Sequence, residues 1–181
     1  DGYEAAACIE RSAQRASDLT RQILAYSRRE APALRPLDVH RVIGETIELL
    51  SRTIRKDVEI RTDFRGPSHP VMGDPEKVLQ ALLNLGVNAS EAMPGGGVLT
   101  FATAPFVSDG GIRFGDAPVP AGRYFSVSVS FLAAQAPREG TGLGLSTVHS
   151  CMRGHGGFIR IGNRAEAGTT VQILLPLTDT G

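Results

Sequence analysis

The sequence has no tryptophan, only 6% aromatic residues and just two cysteines among 181 residues. A core without tryptophan has to be assembled from Leu, Ile, Val and Ala. Cys8 and Cys151 stand far apart with no partner spacing, which excludes a disulfide framework and a zinc site and fits a reducing compartment. Excess charge is missing too, since 19 Lys and Arg balance 19 Asp and Glu. Without a basic surplus the chain lacks the electrostatic footprint of a protein that binds nucleic acid or an acidic membrane. No apolar run reaches the roughly 18 to 20 residues that span a bilayer, and the N-terminus has no basic-then-apolar leader pattern. A cytoplasmic protein is expected, even where a longer parent is membrane-anchored. What the sequence does have is glycine, 21 residues of it, within a 41% hydrophobic composition that is ordinary for a globular fold. The length suits one main domain with an appendage.

From Gly2 to about Ala31 there is no proline, and Ile9, Ser12, Ala16, Leu19, Ile23 and Tyr26 recur at spacings of three and four. This is a heptad seam, and a helix carrying it needs an apolar partner from outside the stretch. Pro32 and Pro36 stop that helix. Val42, Ile43, Ile47, Leu49, Leu50 and Ile54 make a second amphipathic helix over about 40–55. Val58, Ile60, Thr62 and Phe64 alternate as a half-buried strand ending at Gly66-Pro67, and Val71-Met72 is a short strand. Asp74-Pro75-Glu76 supplies an N-cap, a proline at the first helical position and an acid at the positive end, opening a helix to about Met93. Strands are expected at 98–104, 124–130, 158–162 and 169–175, and a helix at 143–153. Residues 105–122, rich in Gly, Pro and Asp, are expected to form a surface loop.

Two constellations bear chemistry. Asn84 and Asn88 are four apart and so project from one helical face, where amide oxygens can complete a magnesium shell or hold phosphate. Standing alone, the pair would be read as solvated or helix-packing asparagines. The second is Gly140-Thr141-Gly142-Leu143-Gly144-Leu145-Ser146, whose glycines let backbone approach a phosphate just before a helix N-terminus.

Together these residues resemble the catalytic and ATP-binding domain of bacterial sensor histidine kinases, in the superfamily that also holds gyrase, MutL and certain chaperones. Asn84-Leu85-Gly86-Val87-Asn88-Ala89-Ser90-Glu91-Ala92-Met93-Pro94 resembles the N box, and Gly140 to Ser146 the second glycine box. Gly156-Gly157, Gly168-Thr169-Thr170 and Leu175-Pro176 match the usual ending of that domain, and residues 15–28 are similar to the second helix of a dimerisation hairpin. The resemblance implies an α+β fold, a Bergerat-type ATP-binding α/β sandwich with a mixed, mainly antiparallel sheet and helices on one face. One long heptad-patterned helix precedes it. Residues 1–31 would be the second hairpin helix, its first helix absent, and residues 32–181 the catalytic domain. Cofactors would be ATP and Mg2+. Asn84 and Asn88 would be catalytic, with Asn88 the metal ligand. Glu91, Gly140, Thr141, Gly142, Leu143, Gly144 and Leu145 would join them around the nucleotide, and Thr170 would lie near the adenine. The implied reaction passes the γ-phosphoryl group to a histidine and then to an aspartate of a response regulator receiver domain, within a homodimer formed through the N-terminal helix.

Two departures qualify this. The family's strand runs into a D-x-G-x-G box whose aspartate reads the adenine amine, whereas here Ser130 is followed directly by Phe131-Leu132-Ala133-Ala134. Either the protein has lost the box and most of the lid, or a lid belongs here that this chain does not include. Losing that charge-assisted hydrogen bond would cost roughly 1.5 to 3 kcal/mol of ATP binding. In addition, the family's acceptor histidine precedes an acid, but His40, His69, His149 and His155 precede Arg41, Pro70, Ser150 and Gly156. Phosphorylation of this chain on its own histidine is not expected. A second reading is therefore a degenerate module that binds no ATP and serves to dimerise and dock response regulators.

Overall fold

The computed structural model describes residues 32–133, 143–164 and 168–178; the expected heptad helix over 1–31 lies outside them. The described elements are β1 (Arg35–Leu37), α1 (Val39–Thr53), β2 (Val58–Phe64), β3 (Val71–Gly73), α2 (Pro75–Glu91), β4 (Gly97–Ser108), β5 (Arg113–Phe114), β6 (Ala117–Pro118), β7 (Gly122–Ala133), α3 (Leu143–Gly154), β8 (Phe158–Arg164) and β9 (Gly168–Pro176). Five strands form one mixed sheet in the order β2-β4-β7-β9-β8, in which only β2 and β4 run parallel. β1 and β3 pair separately as a two-stranded antiparallel sheet.

Period-two alternation gives the sheet one apolar face. Leu99 and Phe101 of β4, Phe125, Val127 and Val129 of β7, and Val171, Ile173 and Leu175 of β9 are all buried in one cluster with residues of the three helices. Each helix contributes one stripe: Val39, Val42, Ile43 and Leu50 from α1, Val78, Leu82 and Leu85 from α2, Val148 and Met152 from α3. Asp38 caps α1, its Oδ1 accepting the amides of His40 at 2.9 Å and Arg41 at 3.3 Å. Leu49, expected on the buried stripe of this helix, is 43% exposed because it lies one residue off the packed line.

The expected loop over 105–122 is corrected. β4 and β7 stay paired as far as Ser108 and Gly122, and β5 and β6 form a small antiparallel pair beyond them. A second apolar cluster of Phe114, Val119, Tyr124 and Leu174 explains this order. Its four members are scattered along the sequence, so no local periodicity announces them.

Candidate functional site

The Asn-bearing helix α2 is fixed at its start by a buried node. Asp74 Oδ1 accepts the amides of Glu76 at 3.1 Å and Lys77 at 3.2 Å, while Oδ2 accepts that of Ala33 at 3.1 Å. The Asp74 amide in turn donates to His155 Nε2 at 2.9 Å, and His155 Nδ1–H donates to the Cys151 carbonyl at 2.6 Å, which fixes the imidazole tautomer. Burial pushes the Asp74 carboxyl up. The amides of Lys77, Ala33 and Glu76, with the Lys77 charge, outweigh this and hold it below its ordinary value. Cys151 donates to the Lys77 carbonyl at 3.4 Å, seating α3 along one flank of α2.

That flank is where the asparagines point. Asn84 and Asn88 stand seven and eleven residues after Lys77, about two and three turns at 3.6 residues per turn, and so share its side of the helix. Gly86 lies on the opposite side, where it packs so tightly on Leu50 of α1 that a Cβ there would overlap the leucine side chain. Both asparagines are half-buried, and Glu91, on the same stripe, is exposed.

α2 ends at the edge of the core where β2, β4 and β9 start and β7 and β8 end. Gly96, at φ +80°, turns the chain into β4, and Gly97 pairs with Ala133 at the end of β7. Phe131 of β7 lies between Leu99 of β4 and Thr169 of β9. Strand alternation puts Phe131 and Thr169 on the helix-covered face, in line with Val129 and Val171. Thr170 faces the other side of the sheet, where it shares a 2.9 Å hydrogen bond with Ser130 Oγ, beside Gln172, which donates to Ser126 Oγ at 2.9 Å. The residue facing the helices is its neighbour Thr169. The alternation of Thr169 with Val171, Ile173 and Leu175 was the sequence signal for it.

Gly140, Thr141 and Gly142 lie outside the described residues, and of Leu143 and Gly144 only the helical backbone is described. α3 begins at Leu143. Leu145 packs against the core, which commits its side chain to packing and leaves only its backbone for a ligand. Of the four histidines, His149 is exposed, His155 belongs to the α2 node, and His40 shares a 2.8 Å hydrogen bond with Thr103 Oγ1 while stacking on Phe64 at 4.1 Å. His69 packs edge-on against Phe125. A groove of about 330 Å3 lined by Ile47, Ile54, Val58 and Ile60 together with Ser51, Arg55 and Lys56 contains none of the expected site residues.

Comparison with known proteins agrees with this geometry. The profile of the histidine kinase-, DNA gyrase B-, and HSP90-like ATPases matches residues 73–179. The chain belongs to this family, and membership implies an ATP-binding domain. It is 34% identical over 185 residues to the sensor kinase CckA of Brucella abortus (strain 2308), covering 93% of this chain and 20% of that protein. To the sensor histidine kinase ZraS of Escherichia coli (strain K12) it is 25% identical over 183 residues, covering 99% of this chain and 39% of that protein. The fold resembles the solved structure of full-length ShkA in complex with AMPPNP, with a TM-score of 0.67 at 22% identity over 93% of this chain and 37% of that one. The chain thus spans well under half the length of these curated relatives.

Proposed function

We propose that this chain is the ATP-binding catalytic portion of a sensor histidine kinase. The observation that carries the reading is the half-buried pair Asn84 and Asn88, turned toward α3 on a helix whose other flank is closed by α1. The donor set suits a magnesium nucleotide. Two neutral amide oxygens can share a cation with phosphate and water, and the positive end of the α3 dipole favours anionic oxygens. Asn88 would hold the cation and Asn84 a phosphate oxygen or water, while Thr169 offers a hydroxyl at the strand end. Bound ATP would supply the γ-phosphoryl group, and positioning and charge neutralisation by these residues would do most of the catalytic work. The AMPPNP in the ShkA structure supports a nucleotide at this fold's site.

The acceptor would be a histidine outside this chain, since none here precedes an acid and both His40 and His155 are engaged in packing contacts. Relay to a response regulator receiver domain would follow. Calorimetric titration with Mg-ATP is the test. Asn88→Ala should lose magnesium-dependent binding, about tenfold or more in affinity if a cation ligand is removed, with stability changed by no more than about 0.5 kcal/mol because the side chain lies off the core. Unchanged affinity would refute the assignment.

Self-association through residues 5–27 completes the proposal, on the strength of the heptad seam. Sedimentation of the full chain should show an associating species that the double variant Leu19→Asp, Ile23→Asp loses; identical profiles would exclude it. One observation favours the degenerate module instead. An apolar Phe131 stands near the end of β7, where the family pattern has a base-reading carboxylate, and absence of nucleotide binding by the wild type would support that reading.

A further inference from the structure

We propose that β2 is a docking edge for a second copy of this chain, the two β2 strands pairing antiparallel about Thr62 so that their sheets join into one. The order of charges along the strand carries the inference. It is independent of the nucleotide-binding reading and involves none of the residues of the heptad seam.

Among the described residues β2 has a strand on one side only, since it ends the order β2-β4-β7-β9-β8. The ladder shows which backbone groups that neighbour uses. The Gly97 amide donates to the Asp57 carbonyl at 3.2 Å and the Arg65 amide to the Thr103 carbonyl at 2.8 Å, so the odd-numbered residues turn their N–H and C=O groups toward β4. By alternation Ile60, Thr62 and Phe64 turn theirs to the opposite edge, which makes that edge a template for another strand. The devices that usually blunt an edge are not built into this one. β2 is seven residues long, contains no proline, and keeps an unbroken register with β4 from Val58 to Phe64.

The side chains select the partner. Val58 and Ile60 pack toward the core, so Glu59, Arg61, Asp63 and Arg65 share the face away from the helices, where all four are exposed and alternate in sign. With Thr62 opposite its own copy, Glu59 stands opposite Arg65 and Arg61 opposite Asp63, so every charge in the row meets its opposite. A register centred on Arg61 would set that arginine against itself and Glu59 against Asp63, and one centred on Asp63 would set Arg61 against Arg65; like charges directly opposite are unfavourable. Within one strand Arg61 already pairs with Glu59 at 2.8 Å and Arg65 with Asp63 at 3.1 Å. These pairs are at least half exposed and contribute little, so they are readily exchanged for cross-strand ones. On the helix-covered face the same register brings Ile60, at the rim of the groove beside α1, next to Phe64 of the second copy, a ring 38% exposed and held by its stacking on His40. A contact of this length is smaller than that of a stable dimer, so the association is weak.

Sedimentation of the full chain carrying Leu19→Asp and Ile23→Asp, which removes association through the heptad seam, tests this. The expected result is a dimer with a dissociation constant of about 10 μM to 1 mM. Two further variants in that background give the strand a single sign: Arg61→Glu with Arg65→Glu, and Glu59→Arg with Asp63→Arg. Each should stay monomeric by itself up to about 1 mM, and an equimolar mixture of the two should associate, because every cross-strand pair is then opposite in sign. A monomeric parent, single-sign variants that associate as the parent does, or a mixture that stays monomeric overturns the inference. Circular dichroism checks that each variant folds, and if one does not, amide hydrogen exchange of the parent decides. Protection of Ile60, Thr62 and Phe64 that rises with protein concentration supports pairing between copies. Equal protection at every concentration would mean that another segment of the chain covers the edge, and no protection at any concentration that nothing does; either overturns the inference.

Discussion

Asp74 shows how much a single carboxylate can organise. It is only 9% exposed, caps α2, ties down the amide of Ala33, and through its own amide reaches His155 and thence α3. Its carboxyl is held below the usual range despite burial, which pushes the other way. The sign of the resulting pH dependence follows directly. The folded state binds this proton more weakly than the unfolded chain, so the contribution is present above the unfolded value near 4 and is lost as pH falls through the folded one. Asp74→Asn, which keeps the Oδ1 cap but loses the charge and the Oδ2 acceptor for the Ala33 amide, should therefore destabilise by about 1 kcal/mol at pH 7, the magnitude of one hydrogen bond. Urea unfolding of the two proteins at pH 7 and pH 3 checks this. The gap should shrink at pH 3, and a gap independent of pH would exclude the charged cap.

Among the elements, the extension of β4 and β7 beyond the main core has its own reason to be ordered. Phe106 and Tyr124 oppose each other across the two strands, Phe114 packs beneath them at 3% exposure, and Arg160 lies 4.7 Å above the Phe114 ring. Polar groups are satisfied as well: Tyr124 donates to the Pro120 carbonyl at 3.1 Å and Ser108 to that of Val119 at 3.1 Å. Because this cluster is separate from the main core, its loss should open the extension locally. Phe114→Ala should remove about 3 kcal/mol of local stability. Amide hydrogen exchange should quicken across 108–122 while α2 and β9 keep their protection; uniform acceleration throughout the chain would show that the extension belongs to the global unit.

For the molecule as a whole, Cys151 is a natural reporter. It lies where α3, α2 and the β3 end meet, and burial, followed by the nearby Asp74 charge, pushes its thiol up to about 12. The native thiol is therefore protonated and unreactive at pH 8, while the unfolded chain exposes a thiol of about 8.5. The unfolded state then holds fewer protons above that value, so the contribution of this residue is intact below about pH 8.5 and declines as pH rises toward 12. Between pH 8 and pH 11, Cys151→Ala should lose less stability than the wild type. Peptide-level alkylation at pH 8 should label Cys151 only with urea present, and rapid native labelling would contradict its burial.

The sequence by itself determined the main helices and strands and the family, because each is written locally. Asp74-Pro75-Glu76 states a helix start in three residues, alternation states the strands, and Asn84 with Asn88 needs only helical periodicity to share a side. Tertiary structure decided what depends on distant pairing. The register of β9 on β7 set Thr169, and not Thr170, on the helix-covered face, and joined Thr170 to Ser130 forty residues away. It turned 105–122 from an expected loop into paired strands, through contacts with Leu174 that no short window contains. It also brought Phe131 to the strand end beside Thr169. Local geometry is fixed by neighbours in the chain, but which face a side chain presents to a ligand is fixed by the strand it pairs with.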